Sequence, residues 1–155
     1  MLEITELSVV QPHEVSPGTL LLTGAHYDDP AVFVFEIDGQ SFWVEIGGSK
    51  PFQGYRMANN LHPYVVGGQP RLLVDIKSKV SPTRSDIPAG TAVLIGDQPY
   101  VTIKIDYGTS YVGLDGQLAE DPRTYERFVG FSHWQMIVAA FGLDEWLVVY
   151  DSHAA

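Results

Sequence analysis

The sequence predicts a mainly β chain, α+β by strict class. Antiparallel hairpins are expected to form a barrel or a sandwich, with a helical segment near the C-terminus. Three observations carry this. Two alternating apolar runs, Ala31–Ile37 and Gln40–Ile46, flank Asp38-Gly39, and Asp-Gly between such runs is a strong hairpin signal because both central turn residues need positive φ. Further short alternating runs recur between turns supplied by 15 Gly and 10 Pro. Near the end, Trp134, Ile137, Val138 and Phe141 fall at i, i+3, i+4 and i+7, the spacing of a helical stripe.

The central hairpin can be registered on paper. A two-residue loop sets Ile37 against Gln40, Phe35 against Phe42, Phe33 against Val44 and Ala31 against Ile46. Cross-strand partners share a face, so this face is apolar. The opposite face pairs Glu36 with Ser41, Val34 with Trp43 and Val32 with Glu45. A slip of one residue would mix the two sets, so the register is well specified. If a second layer covers the opposite face, Trp43 is core. Otherwise Val32, Val34 and Trp43 form an exposed apolar patch of the kind that marks an interface.

Before the hairpin, Leu2, Ile4, Leu7 and Val9 sketch a first strand, residues 11–18 a loop, and residues 19–23 a short strand. After it, residues 52–58 make a strand interrupted at Gly54, and residues 64–66 and 71–77 suggest a second hairpin around Gly67-Gly68-Gln69-Pro70. Residues 78–90 form a polar connection, long for a compact domain. Residues 91–95 and 100–105 suggest a third hairpin, and 110–114 a short strand. Asp121-Pro122 has the form of a helix start, an N-cap followed by Pro at the first helical position. Ser132 is placed to cap a helix over 132–141, with Gly142 after it. The same stretch is β-compatible, because Trp134, Met136, Val138 and Ala140 are all apolar; helix is the expectation. Residues 146–150 read as a last strand, followed by a fraying end.

At 155 residues the chain fits one domain, 1–155. Its net charge of −10 and pI near 4.7 repel phosphate backbones and anionic lipid surfaces, so neither nucleic acid nor membrane is an expected partner. The charge is uneven. Residues 1–49 hold eight acids and no Lys or Arg, residues 50–104 hold seven bases and three acids, and residues 105–155 hold eight acids and two bases. The plain reading is solubility. The functional reading is an acidic surface steering a basic protein partner. Charged residues make up only 18%, below the roughly 25% usual for soluble domains, so either much of the surface is uncharged or part of it is covered by a partner or by a second copy in a homo-oligomer. There is no cysteine, which removes disulfide and thiol chemistry. Residues 1–6 lack the pattern of a signal peptide, and the longest apolar run, 136–141, is too short to span a bilayer. A cytoplasmic location is the expectation.

The motifs of catalysis are absent. There is no Gly-x-Ser-x-Gly elbow, no phosphate loop at Gly47-Gly48-Ser49-Lys50, no dinucleotide fingerprint and no His-Glu-x-x-His. No catalytic residue, cofactor or metal is expected. The side chains that would line a small-ligand site are His26, Asp28, Asn59, Asn60, His62 and Arg84. His26 and Asp28 are two apart and share a side of an extended segment; Asn59, Asn60 and His62 gather hydrogen-bonding groups before Pro63; Arg84 sits on the long loop and offers a bidentate carboxylate contact. Each also has a bland role in a turn. His133 and Trp134 read as a capping neighbour and a core aromatic. Three functions remain in play. The first is a non-catalytic interaction protein, an acidic inhibitor or immunity-type partner of a basic protein. The second is an assembly subunit forming a homo-oligomer, and the third a small-ligand-binding or metal-dependent enzyme with a pocket in a β-barrel.

Overall fold

A computed structural model of the chain describes residues 7–24, 30–58, 62–80, 87–106, 108–119, 128–139 and 146–153. The expectations at Leu2 and Ile4 and at Asp121-Pro122 lie outside them. Within them the chain is mainly β, as its alternating runs require, with fourteen strands in three sheets whose ladders are all antiparallel. Among the described residues no sheet closes on itself, so the barrel alternative is not met.

The first sheet holds β1 (Val9–Val10), β2 (Leu20–Leu21), β3 (Ala31–Ile37), β4 (Gln40–Ile46), β5 (Gly54–Arg56) and β6 (Tyr64–Gly68), in the order β1-β6-β2-β3-β4-β5. The β3–β4 register runs from Ala31–Ile46 to Ile37–Gln40, pair for pair as the alternation demands. Asp38 at φ 50° and Gly39 at φ 79° form the turn, both positive as a two-residue hairpin of this hand requires. Ala31, Phe33, Phe35, Val44 and Ile46 enter the main core, and Val32 and Val34 enter a second cluster on the other face.

β7 (Arg71–Val74) corrects the second expected hairpin. It leaves its neighbour β6 to β1 and β2, and joins a different sheet. The second sheet is β11-β10-β9-β12-β8, made of β8 (Lys79–Val80), β9 (Ala92–Ile95), β10 (Gln98–Ile105), β11 (Gly108–Gly113) and β12 (Phe128–Phe131). Its β9–β10 hairpin is the third one read from the sequence, and the long connection 78–90 contributes β8, which pairs with β12. At its base Thr102, fully buried, donates to the Pro88 carbonyl at 2.7 Å and accepts the Thr91 amide at 2.9 Å, so a buried hydroxyl keeps both kinds of partner.

The third sheet is β14-β13-β7, with β13 (Trp134–Ala139) and β14 (Trp146–Asp151). The expected helix over 132–141 is therefore overturned where it is described. The period of two wins: Trp134, Met136 and Val138 point into the core, each no more than 2% exposed. Partners on both sides, β7 and β14, take up the backbone groups that a helix would have satisfied internally. Helical spacing was a weaker prior than this tertiary pairing. Ser132 does not cap a helix; its amide and hydroxyl both donate to the Ser78 carbonyl, at 3.1 and 3.3 Å. The only helical segments described are short 3-10 turns, Pro12–Glu14 and Ile76–Ser78. All three sheets feed one core, in which Phe35, Ile103, Met136 and Val138 lie together.

Candidate functional site

The third sheet presents one face to the core and one outward, and its ladder arranges the outer side chains in rows. Leu73, Gln135 and Asp151 form one row; Arg71, Ile137 and Val148 form the next, Ile137 being buried at 5%; Ala139 and Trp146 follow. The chemistry of this face changes along its length. At the far end Trp146 and Val148 are about half exposed, and the Arg71 guanidinium lies 4.9 Å from the Trp146 ring centre, a cation–π contact that bridges the central strand. β14 is an edge strand among the described residues, and Leu147 beside these two is also exposed. In the middle row the Gln135 amide donates to Asp151 at 2.8 Å.

The near end is polar. Trp134 pairs with Val74, and Gln135 with Asp151. One residue beyond Trp134–Val74 and two beyond Gln135–Asp151, the same registers set His133 opposite Asp75 on one side and His153 on the other. These three make a final row on the outer face. The His133 and His153 rings are 3.8 Å apart between centres. One ligating atom from each of Asp75, His133 and His153 lies within 4.8 Å of the other two. A groove of about 260 Å³ opens beside them, lined also by Leu73, Val74, Trp134, Gln135 and Asp151.

Backbone contacts hold this row. The Asp75 amide donates to the His133 carbonyl at 2.9 Å, and the His133 amide to the Ser78 hydroxyl at 3.0 Å. Asp75 caps the turn Ile76–Ser78 by accepting the Lys77 amide at 2.9 Å, as aspartate commonly does at a helix start. On the other flank the Trp134 amide donates to the Ser152 hydroxyl at 2.8 Å, the Ser152 amide to the Trp134 carbonyl at 3.0 Å and the His153 amide to Asp151 at 2.9 Å. Beneath, the Trp134 indole N–H donates to the Gly90 carbonyl at 2.7 Å, and its ring lies 4.9 Å from that of Tyr150. Burial in this aromatic layer, and secondarily the charge of Asp151, raises the Tyr150 hydroxyl above its usual pKa.

The residues singled out from sequence fare differently. His26, Asp28, Asn59, Asn60 and Arg84 lie outside the described residues. His62 is exposed just before β6. Val32 and Val34 are at most 1% exposed: Leu21 joins them, and Val10, Val15, Met57, Tyr64 and Val66 pack around them. The second layer that the sequence leaves open is thus present, and these two valines offer no surface patch. Trp43 is half-buried beside them, its ring 5.0 Å from Tyr55 on β5. Asp75 and His153 are not among the residues that the sequence singles out for a site. The signal that finds them is the hairpin 134–151: read as strands with one bulge, it puts His133 opposite His153, and the helical reading hid that.

No family model matches the chain, and neither a curated protein nor a solved structure matches it significantly.

Proposed function

We propose that this protein is a non-catalytic interaction protein whose binding surface is the β14 edge together with the apolar end of the outer face, and that the partner taken there is a second copy of the chain. The observation that carries this reading is the exposure of Trp146, Leu147 and Val148 side by side on an edge strand, at 48%, 41% and 50%. Residues 146–151 contain no Lys, Arg or Pro, the residues that guard sheet edges against pairing. Among the described residues the guarding devices on this edge are a bulge between Met136 and Ile137 in the β13–β14 ladder and the charge of Asp151 at the strand's end. A two-fold axis beside β14 sets it antiparallel to its copy, the pairing that its own sheet uses throughout.

Two further observations bear on this reading. The void at the centre of the core, among Phe33, Val44, Ile103 and Met136, is about 10 Å³, the room of one water rather than of a substrate. The described outer face mixes Arg71 with Asp75 and Asp151 and does not gather the acidic charge, so the net −10 enters as repulsion between copies rather than as attraction at the contact.

That sign gives the test. Sedimentation velocity over a range of protein concentrations, at low and high salt, should show dimers that strengthen as salt screens the repulsion. Trp146→Ser with Val148→Ser should return the chain to monomer with its fold intact. A complex with a basic protein that salt dissolves would favour the charge-steered inhibitor reading instead, and a monomer at every concentration and salt would end the dimer reading.

A further inference from the structure

From the outer row that ends the third sheet we infer a binding site for a divalent first-row transition ion, held by Asp75, His133 and His153. The ligands come from three separate places: the residue after β7, the connection between β12 and β13, and the turn after β14. The register of one sheet brings these three connections into line, each ligand standing within two residues of a strand end.

The donor set selects the ion. Two imidazole nitrogens and one carboxylate oxygen suit Zn²⁺, Ni²⁺, Cu²⁺ or Fe²⁺, whereas Mg²⁺ and Ca²⁺ take oxygen ligands. Donors bound to a common Zn²⁺ sit about 3.3 Å apart, given bonds near 2.0–2.1 Å. The three atoms here fall within 4.8 Å of one another. Asp75 and His153 are exposed, and small rotations about their side-chain bonds close the difference.

The surroundings are those of a ligand set that is oriented before it binds. Asp75 Oδ1 is held by the Lys77 amide, which leaves Oδ2 to ligate. His133 is fixed at both its amide and its carbonyl by Ser78 and Asp75. Asp151 accepts from the His153 amide through Oδ1 and from Gln135 through Oδ2, so it positions the neighbouring ligand and is not itself counted among the three. Such outer partners are a regular feature of working metal sites. Three protein ligands leave a coordination position open, as catalytic and exchangeable zinc sites do and closed structural sites do not. That position faces the groove of about 260 Å³, where water or a small anionic or imidazole-like ligand would complete the shell.

The test uses the full untagged chain, with Zn²⁺ followed by calorimetry and Co²⁺ by its visible absorption. One ion should bind per chain, with the imidazole resonances of His133 and His153 shifting and the melting midpoint rising with Zn²⁺ concentration. Asp75→Asn keeps an oxygen to cap the turn but removes the charge; His153→Ala removes an exposed ring beyond the last strand. Each should raise the Kd for Zn²⁺ by more than the roughly 10–100-fold that loss of an outer-shell partner costs, with melting midpoints in chelator matching the parent. His13→Ala, at an exposed position of the turn Pro12–Glu14, should change nothing. The site is refuted by absence of saturable binding at millimolar Zn²⁺, or by one-to-one binding that survives both His153→Ala and Asp75→Asn.

Discussion

Two hairpins divide the labour of this chain. In β3–β4 both faces are covered: Phe33 and Phe35 on one side, Val32 and Val34 on the other, all at most 4% exposed. In β13–β14 one face is as deeply buried, through Trp134, Met136 and Val138, while the other carries exposed Trp146 and Val148 and the row of Asp75, His133 and His153. The first hairpin is a beam of the fold; the second is a wall with one side turned outward. Function is therefore sought at the strand pair whose outer face is not explained by packing.

The largest effect that separates the two should come from truncation. Phe35 is fully buried and stacks on Phe42 at 5.6 Å, so Phe35→Ala should cost about 3–5 kcal/mol in denaturant unfolding. Val148→Ala on the outer edge should stay within about 0.5 kcal/mol. If the Phe35 loss fell below about 1 kcal/mol, or the two losses were equal, the buried-beam description of β3–β4 would be wrong.

A smaller effect tests the turn alone. A Cβ on Gly39 would meet nothing within 4 Å, so Gly39→Val introduces no clash at Cβ. Its cost is all backbone, because a β-branched residue resists the φ of 79°. The expected loss is more than about 1 kcal/mol. An unchanged melting midpoint would show that the turn relaxes freely and that the register is set by the strands.

The contrast also explains what was legible in the sequence. The first hairpin was readable because everything that fixes it is local: turn chemistry at Asp38-Gly39 and two segregated faces, with a register that needs no third element. The second was not, because Trp134, Ile137, Val138 and Phe141 satisfy a helical period while Trp134, Met136 and Val138 satisfy a strand period. The choice was made by β7, more than fifty residues earlier in the chain. The departure of β7 from β6 was hidden for the same reason: adjacency suggested a hairpin, and only the packing of the third sheet says otherwise. The candidate site inherits this. Asp75, His133 and His153 have no motif spacing, and their row exists only through two registers, one of them bulged. In the sequence His133 reads only as the neighbour of a helix cap at Ser132, and no helix forms there. Val32, Val34 and Trp43 show the converse limit, since alternation placed them correctly on one face but does not say that Leu21, Met57 and Tyr64 come to cover it.

The smallest effect is invisible at neutral pH, and it probes how tightly the base of the outer face is sealed. Tyr150 packs its ring against Phe52 at 5.1 Å and Trp134 at 4.9 Å. Burial first, and the neighbouring Asp151 second, raise its hydroxyl above the usual value, near 10 for an unperturbed tyrosine. The folded chain therefore holds the proton more tightly than the unfolded chain. Below the unfolded value both states are protonated and the native preference is fully present. As pH rises past about 10 the unfolded chain ionises first, so stability falls until the folded hydroxyl also titrates. Tyr150→Phe removes that group while keeping the ring. Melting midpoints of the two chains should run parallel from neutral pH to about pH 9, then diverge, with the parent declining more steeply. Equal slopes above pH 10 would mean that water reaches the Tyr150 hydroxyl as freely in the folded chain as in the unfolded one. The aromatic layer under His133 and His153 would then be open, and the groove beside them deeper than the packing of Trp134 implies.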